Sequence, residues 1–527
     1  MTLLVLLGVG LRVWSYAAVP TLWLDEILLA RNIVGLPLGE LVTRPLYLDQ
    51  VAPRGFLLVE KLAVGLLGPG ELGLRCFPFL CAVAGVFLFR RLAERTLMGW
   101  AAPFALALYA VGAPFIRYAA EVKQYEVDAL ATVVLLLLAL DLRAPAPSTR
   151  RLLLAGLAGL ALPWFSHASV VVMAGVGAAL AVEWVATRDR SIGRVLLVTM
   201  PMWAAAALIA IVLGRHSMSP STREFMQNFW ASGFFPLPLR SPGDLRWFLD
   251  QSLSIFSDPG LLRYRWPGLF LAVAVLGLLA LWRERREVAL LLLGPLALAL
   301  VAAVAQQYPF RGRLMFYLVP GVLLAVAAGA EWLRRAAAGL HPLAGTAAML
   351  ALLVPPVLAL AETPPPYDIE HHRTVLGYLA RHRRPGDVIH VCPLSRIGVM
   401  HYGPRFGIGP DDWITGICDR TDTRAYLRDV DRHRGVARLW LLSSEARPFR
   451  TARPAVRRYL STIGTRIDSL SRRSLQFGAV SLDLYDLSDP ARLGAARADT
   501  FPVLPMPTDP RPGCRPWAQP SPADSFP

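Results

Sequence analysis

The sequence predicts a polytopic α-helical membrane protein of about 11 spans, followed by a C-terminal extracytoplasmic α/β domain. Three observations predict this fold class. Of the 527 residues, 55% are hydrophobic and 17% are charged, and the mean hydropathy is +0.45, whereas a soluble chain carries roughly 25% charged residues. Apolar stretches long enough to cross a bilayer recur as far as residue 361. Beyond about residue 366 the chain is rich in arginine and alternates between strand-like and helical patterns.

Each predicted span is a stretch of about 20 mostly apolar residues. The stretch at 152–182 is too long for one span and is interrupted by Ser166 and His167, so it is counted as two. The other predicted spans are 1–18, 76–90, 95–117, 127–141, 194–215, 265–283, 287–311, 314–333 and 341–362.

Arginine clusters support this count, because cytoplasmic loops of membrane proteins carry an excess of basic residues. Every second loop is short and arginine-rich, as at 90–95, 143–151 and 283–286. In a protein of the cell (inner) membrane, this predicts that the amino terminus lies on the cytoplasmic side and that everything after residue 362 lies outside. The net charge of +16 has the same explanation. Nucleic-acid binding is disfavoured, because the sequence has no basic patch with interleaved aromatic residues.

The pattern divides the chain into a membrane domain at 1–361, an extracytoplasmic α/β domain at 362–490 and a proline-rich, disordered tail at 491–527. A long outer loop at 214–265, with Phe225 and Trp230, is typical of an interfacial helix with an aromatic belt. In the α/β domain we predict strands at 387–391, 437–442 and 480–485 and helices at 369–383, 422–434 and 453–463.

The five cysteines have no CxxC spacing, so neither a zinc site nor a dense disulfide framework is indicated. A disulfide between Cys392 and Cys418 would suit an oxidising compartment. Their spacing alone does not indicate that they are close.

A pair of carboxylates, Asp25 and Glu26, follows the first predicted span at the depth of the lipid headgroups. An ordinary solvated loop start is the plain alternative. The same loop carries further polar residues flanked by amphipathic sequence, which favours a functional site. These residues are Asp49, Gln50, Arg54, Glu60 and Lys61.

The next outer loop concentrates five charged groups within twelve residues, directly before a span. Ionisable residues at membrane depth are costly and indicate function unless they are paired. A salt-bridged helical turn is the alternative, because Glu121 and Tyr125 lie four residues apart. The candidate residues are Arg117, Glu121, Lys123, Gln124, Tyr125 and Asp128.

Two further groups lie at predicted outer ends of spans. His167 is at the junction of the fifth and sixth spans, where a structural hydrogen bond is the alternative to a functional role. Tyr308, Arg311 and Arg313 enter the tenth span from outside. Arginine binds phosphate oxygens in a bidentate manner, although anchoring of the span at anionic headgroups would use the same residues.

All these clusters lie on one predicted face of the membrane. Carboxylates that can act as a base, together with cations that can hold phosphate, suit the transfer of a group from a lipid phosphate carrier to an acceptor outside the cytoplasm. Because the leaving group is already a phosphate, this chemistry needs no general acid.

In these residues the sequence resembles the GT-C integral-membrane glycosyltransferases. Within them it is most similar to the group of the dolichyl-phosphate-mannose protein mannosyltransferases and the lipid A aminoarabinose transferase. The resemblance covers residues 1–361 in architecture. The matching stretches are Trp23-Leu24-Asp25-Glu26, Gln50-Val51-Ala52-Pro53, Glu121-Val122-Lys123-Gln124-Tyr125 and Tyr308-Pro309-Phe310-Arg311-Gly312-Arg313.

The resemblance implies an inverting sugar transfer from a polyprenyl phosphate, with Asp25 and Glu26 as the catalytic pair and Asp25 as the base. Some relatives use a divalent metal ion held by such carboxylates and others use none, so a metal stays open. Repeats of the mannosyltransferase type are absent from the sequence, so a glycan or lipid acceptor is as well supported as a protein. The resemblance implies Glu26, Lys61, Lys123 and Arg311 as donor or acceptor contacts. Together with the residues singled out above, the candidate donor- or acceptor-binding residues are Gln50, Arg54, Lys61, Arg117, Glu121, Lys123, Gln124, Tyr125, Asp128, His167, Tyr308, Arg311 and Arg313.

A transporter or flippase of lipid-linked or anionic substrates is the rival function. The sequence shows no inverted repeat and no pair of broken spans at corresponding positions, which transporters commonly carry. A non-catalytic membrane scaffold, the third hypothesis, would leave the charged clusters unexplained.

Overall fold

A computed structural model describes residues 1–257, 261–339, 341–444, 449–473 and 479–506. The chain forms two compact units. Unit 1 comprises Met1–Val19 and Pro37–Pro366, and unit 2 comprises Pro20–Leu36 and the chain from Tyr367 onward. Residues 20–36 therefore group with the C-terminal residues, a grouping that the predicted domain limits did not contain.

Helices dominate the structure. All those described below belong to unit 1, except for α2 and α19–α22, which belong to unit 2. The helices are α1 (Thr2–Ala17), α2 (Leu24–Gly35), α3 (Leu38–Thr43), α4 (Arg54–Leu67), α5 (Glu71–Thr96), α6 (Ala101–Val111), α7 (Ala113–Tyr118), α8 (Tyr125–Leu142), α9 (Thr149–Ala161), α10 (Ser169–Thr187), α11 (Arg190–His216), α12 (Pro220–Phe229), α13 (Arg246–Ser254), α14 (Pro267–Glu284), α15 (Arg286–Val304), α16 (Val319–Ala338), α17 (Pro342–Ala351), α18 (Val354–Glu362), α19 (His372–His382), α20 (Ser395–Tyr402), α21 (Thr423–Asp431) and α22 (Phe449–Ile463).

Seven helical segments within the described ranges are long and apolar enough to cross a membrane, which confirms the polytopic helical fold. The other predicted spans are also helical, but α1, α6 and α9 are shorter, and α8 carries three carboxylates. The total of eleven spans therefore stays a prediction. The seven segments are Glu71–Thr96, Ser169–Thr187, Arg190–Arg215, Pro267–Glu284, Arg286–Val304, Gly312–Ala338 and Leu343–Glu362.

Small residues allow the apolar helices to approach each other closely. A Cβ atom at Gly277 of α14 would lie 1.8 Å from the carbonyl oxygen of Ala325 in α16. A Cβ atom at Gly329 of α16 would lie 1.9 Å from the carbonyl oxygen of Val273. Such backbone contact is how helices associate where no hydrophobic effect drives them together. It fixes the frame on which the polar residues of unit 1 are held.

The 214–265 segment, predicted to hold an interfacial helix, contains the helix α12, and its position at a membrane interface stays a prediction. The ring centroids of Phe225 and Phe229 lie 5.5 Å apart in a tilted arrangement, and those of Phe229 and Trp230, just after the helix, lie 5.0 Å apart edge to face. A Pro at the first helical position and the Ser219 side chain, which accepts the Thr222 backbone N–H, start this helix.

Unit 2 contains a five-stranded sheet in the order β2-β1-β3-β5-β4. Strand β1 pairs in parallel with β2 and β3, and β5 pairs antiparallel with β3 and β4. The three predicted strands correspond to β1, β3 and β5, and every residue of β3 is buried. The strands are β1 (Val388–Val391), β2 (Ile414–Thr415), β3 (Leu439–Ser444), β4 (Thr465–Arg473) and β5 (Ala479–Asp486).

The strands that the sequence did not predict have little hydrophobic signal. Strand β2 has only two residues, and β4 is an edge strand whose side chains are mostly exposed. Residues 491–506, predicted to be disordered, instead follow β5 as turns: Ala498 is buried, and the Phe501 ring lies 5.1 Å from that of Tyr459. The rest of the predicted tail, 507–527, lies outside the described residues.

The cysteines of the described residues differ in state. Cys418 is disulfide-bonded, whereas Cys76, Cys81 and Cys392 are free thiols. A Cys392–Cys418 disulfide is therefore not formed.

Candidate functional site

The carboxylate pair predicted from the sequence begins a helix. Helix α2 starts at Leu24, so Asp25 and Glu26 lie in its first turn, where the partial positive charge of a helix terminus favours acidic side chains. Glu26 is buried and accepts the Trp23 backbone N–H at 3.2 Å. Asp25 is half-buried. Glu26 is thus used to cap its own helix, and Asp25 is the more accessible carboxylate of the pair.

Side chains from far along the sequence meet the backbone at the start of α2. The Leu24 N–H donates to Glu370 Oε2 at 2.9 Å, and the Leu22 N–H donates to the hydroxyl oxygen of Tyr402 at 2.8 Å. Sequence reasoning missed both acceptors. The signal for Glu370 was present, because residues 367–372 form a dense ionisable run directly after the last predicted span.

Glu370 lies in an acidic environment. Burial is the main reason that the pKa of its carboxyl rises to about 7, and the hydrogen bond from the Leu24 N–H acts in the opposite direction. Nearby negative charges raise it further, and they belong to Asp368, Glu26 and Asp25. The ring of His372 lies 3.6 Å from Glu370, and burial lowers the pKa of this histidine to about 4, so it is neutral at pH 7. Four carboxylates therefore share the surroundings of the α2 amino terminus.

In unit 1, the structure brings two of the predicted residues into direct contact. Lys123 is buried, and its Nζ donates to Oε1 of Gln50 at 2.8 Å across 73 positions of sequence. Leu48 and Asp49, just before this glutamine, have φ angles of +63° and +56°, a conformation uncommon outside glycine. The Asp49 carboxylate accepts the Thr222 hydroxyl at 3.1 Å. This contact fixes the loop that presents Gln50 to Lys123.

The neighbouring charged residues of unit 1 are paired. Arg117 Nε donates to Glu121 Oε2 at 3.1 Å, and both side chains are largely buried. The guanidinium of Arg313 lies 5.7 Å from the ring centroids of both Tyr125 and Trp230, within the range of a cation–π interaction. Arg117 and Glu121 thus form an ion pair, but residues 119–124 are turns and bends, so the helical turn from Glu121 to Tyr125 that the sequence left as an alternative is not formed.

A second group surrounds the start of α8. The Ser166 hydroxyl hydrogen-bonds to the buried carboxylate of Asp128. The side-chain oxygen of Gln124 is buried and has no hydrogen-bond partner among the described residues. The neighbouring His167 is half-buried, and burial lowers its pKa to about 4. The Tyr308 hydroxyl donates to the Leu314 carbonyl oxygen at 3.3 Å.

The remaining predicted residues are less enclosed. Arg311 is exposed and its guanidinium contacts the Ser232 hydroxyl. Arg54 donates to the Ser217 hydroxyl at 3.1 Å, and Lys61 is half-buried on α4. Arg311 and Arg54 therefore contact serine hydroxyls and are less enclosed than the buried Lys123.

Glu60, next to Lys61, is fully buried. Neither of its carboxylate oxygens has a hydrogen-bond partner within the described part of the chain, and burial raises its pKa well above the ordinary value. Across the same described residues, no group of three or more His, Cys, Asp or Glu side chains is arranged to hold a metal ion. The four carboxylates around α2 do not form such a group either.

Comparison with known proteins gives a likeness of fold. No protein-family profile matches the sequence, and no curated protein matches it. The crystal structure of apo ArnT from Cupriavidus metallidurans is similar with a TM-score of 0.51 and 14% identity, over 92% of this chain and 97% of that one. At this identity the likeness concerns the fold alone, and it supports the predicted fold class.

Two further structures are weaker matches. ArnT from the same organism bound to undecaprenyl phosphate gives a TM-score of 0.47 at 14% identity, over 94% of this chain and 99% of that one. The Archaeoglobus fulgidus oligosaccharyltransferase in complex with zinc and sulfate gives 0.46 at 13% identity, over 83% of this chain and 68% of that one.

Proposed function

We propose that the protein is an integral-membrane glycosyltransferase that moves a sugar from a polyprenyl-phosphate donor to an extracytoplasmic acceptor, with inversion at the anomeric carbon. One observation carries the proposal: Asp25 offers a half-buried carboxylate in the first turn of α2, in a chain with the fold of ArnT. A carboxylate at this position is suited to accept a proton from a hydroxyl. The acceptor is a glycan, a lipid or a protein.

In the proposed reaction the Asp25 carboxylate takes the proton of the acceptor hydroxyl. The acceptor oxygen then bonds to the anomeric carbon, while the bond from that carbon to the phosphate oxygen breaks on the opposite face. The electron pair of the broken bond leaves with the polyprenyl phosphate. No general acid is required, because phosphate is a stable leaving group.

The departing phosphate needs a positive charge nearby. Lys123 is suited to this role because its ammonium group is buried, and a charge acts more strongly in a medium of low dielectric constant. Its contact with Gln50 holds it in one position. We further propose that Arg313, stacked near Tyr125, and the exposed Arg311 contribute to donor binding.

Two observations support an extracytoplasmic location of the reaction. The arginine-rich loops place residues after 362 outside the cytoplasm. In addition, Cys418 of unit 2 is disulfide-bonded, and such bonds persist in oxidising compartments. We therefore propose a multi-pass protein of the inner membrane with unit 2 on the outside.

The deciding experiment uses the full chain in lipid vesicles with a panel of labelled polyprenyl-phosphate sugars and isolated envelope glycans, lipids and peptides as acceptors. The Asp25→Asn variant keeps the shape of the side chain but cannot take a proton. We expect its kcat to fall by about 10²- to 10⁴-fold. A chelator added to the wild type decides whether a divalent metal takes part.

The matched control is Glu40→Gln, which neutralises an exposed carboxylate on α3. It should change kcat by less than about twofold, since exposed ion pairs contribute little. An Asp25→Asn variant with near wild-type transfer would contradict the proposed base. Movement of lipid-linked sugar across the vesicle membrane without transfer would favour the transporter hypothesis instead.

A further inference from the structure

The start of α2 lacks an ordinary cap. The first N–H groups of a helix have no partner within the helix, and the residue before the first turn usually supplies a side-chain oxygen. Here that residue is Trp23, whose side chain has no oxygen. One missing acceptor comes from the other end of the sequence, because Glu370 accepts the Leu24 N–H. Just before the helix, Tyr402 accepts the Leu22 N–H and holds the segment that leads into it.

These contacts fix both chain neighbours of Asp25. On one side the Leu24 N–H is bound to Glu370 at 2.9 Å. On the other side the Glu26 side chain folds back onto the Trp23 N–H at 3.2 Å. The backbone from which the Asp25 side chain projects is therefore held at two points, and one of them is supplied by a residue 346 positions away in sequence.

We infer that Glu370 and Tyr402 are positioning residues that hold the Asp25 carboxylate in place for transfer, an inference that rests on the proposed function. Both acceptors are buried, with exposed fractions of 3% and 0%, so water cannot readily replace them. A buried N–H that loses its acceptor destabilises the folded arrangement, because its removal from water is no longer compensated by a hydrogen bond. Loss of either acceptor should therefore release the start of α2.

The clamp does not require Glu370 to be ionised. A carboxyl group accepts a hydrogen bond in both its protonated and its ionised form. The charged groups that act on Glu370 are Asp25 and Glu26 on α2 and Asp368 in its own segment, and the His372 ring on α19 lies 3.6 Å away. His371 and His401 lie one step further out and act on His372. Because three other carboxylates lie nearby, the rival hypothesis is that Glu370 itself accepts a proton during transfer. The Glu370→Gln variant separates this role from positioning.

The variants are Glu370→Ala, Glu370→Gln and Tyr402→Phe in the full chain. Glutamine keeps an oxygen that can accept the Leu24 N–H but cannot take a proton, whereas alanine and phenylalanine remove the acceptor. The control is Asp422→Ala, which removes the side-chain oxygen that accepts the Arg424 N–H at the start of α21. It is a loss of the same kind at a helix of the same unit.

Two quantities are measured: kcat and donor KM in the vesicle assay, and amide hydrogen exchange of peptides covering residues 20–36. Glu370→Ala should lower kcat by about 10- to 100-fold, because small misplacement of a reacting group can cost about 10²-fold, with donor KM changed by less than about threefold. Exchange at residues 20–36 should rise in Glu370→Ala and Tyr402→Phe. Glu370→Gln should keep both values near those of the wild type.

Three results would overturn the inference. Unchanged exchange at 20–36 in the alanine and phenylalanine variants would show that these acceptors hold nothing. An equal loss of kcat in Glu370→Gln and Glu370→Ala would assign Glu370 to proton transfer. An equal loss of kcat in Asp422→Ala would show general destabilisation of unit 2. If no donor is turned over by the wild type, the proposed function fails, and the exchange measurement still decides whether the start of α2 is clamped.

Discussion

The charged residues near Lys123 in unit 1 and those around Asp25 in unit 2 are organised in opposite ways. In unit 1 the cations have complementary partners: Lys123 donates to Gln50, and Arg117 is paired with Glu121. In unit 2 four carboxylates gather around one helix terminus, and three of them accept hydrogen bonds from backbone N–H groups or a hydroxyl: Glu26, Glu370 and Asp368. A partnered cation keeps its charge for an anionic ligand, whereas crowded, buried carboxylates bind protons more readily. Under the proposed function, this difference favours binding as the role of the first group and proton transfer as the role of the second.

The largest effect that tests this division is expected at Lys123. The Lys123→Ala change removes a buried cation, and a hydrogen bond to a charged group contributes about 1.5–3 kcal/mol, which corresponds to about a 10- to 150-fold higher donor KM. The exposed Arg311 should matter less, and Arg311→Ala should raise the donor KM by no more than about fivefold. Donor titrations of both variants at a saturating acceptor concentration measure the two values.

Folding controls accompany these variants, because Lys123→Ala also leaves Gln50 without its donor. Lys123→Arg keeps the positive charge and should recover part of the donor affinity. If Lys123→Ala lowers kcat while the donor KM stays unchanged, the binding role of unit 1 is wrong. Anchoring of the span would then remain as the explanation of its charges.

The sequence was sufficient for the long apolar helices of unit 1 and for the central strands of unit 2, because burial leaves a hydrophobic pattern. It did not predict the helices α3, α4 and α13, which lie in stretches interpreted as loops. It did not predict β4, whose exposed edge needs no such pattern. It singled out Gln50 and Lys123 as candidates but not their contact, which spans 73 positions. The link from Leu24 to Glu370 spans 346 positions and depends on tertiary packing, which leaves no local periodicity to detect.

A second prediction, of intermediate size, uses the pH dependence of stability to test whether the carboxylates around Asp25 bind protons. Because burial raises the pKa of Glu370 to about 7, the folded state binds its proton more tightly than the unfolded state does. Between about pH 4.5, the ordinary value, and pH 7 this residue makes the free energy of unfolding fall as pH rises. Glu370→Gln removes that fall, so its Tm relative to the wild type should increase from pH 5 to pH 8 by a few degrees, on the order expected for 1 kcal/mol in a domain of this size.

The titration of His372 changes the free energy of unfolding in the opposite direction. Its effect cancels when the Tm of Glu370→Gln is compared with that of the wild type. Burial lowers the pKa of His372 to about 4, so its contribution to stability is lost as pH falls from about 6.5 to about 4. Both proteins keep His372, and the difference between their Tm values isolates Glu370. A Tm difference that is the same at pH 5 and pH 8 would show that Glu370 is not the proton-binding member of the acidic group.

The smallest expected effect is at Glu26, and it tests whether the two carboxylates of the pair have different roles. Glu26 accepts the Trp23 N–H and is buried, so Glu26→Gln keeps an acceptor oxygen and should lower kcat by no more than about threefold. Glu26→Ala removes the acceptor and should lower the stability of the chain by roughly 0.5–2 kcal/mol, as loss of a helix cap does. The kcat values of both variants and of Asp25→Asn, measured with one donor, give the comparison. If Glu26→Gln is as severe as Asp25→Asn, the two carboxylates act together, as they would on a shared metal ion. The separation of a capping carboxylate from a proton-accepting one would then be wrong.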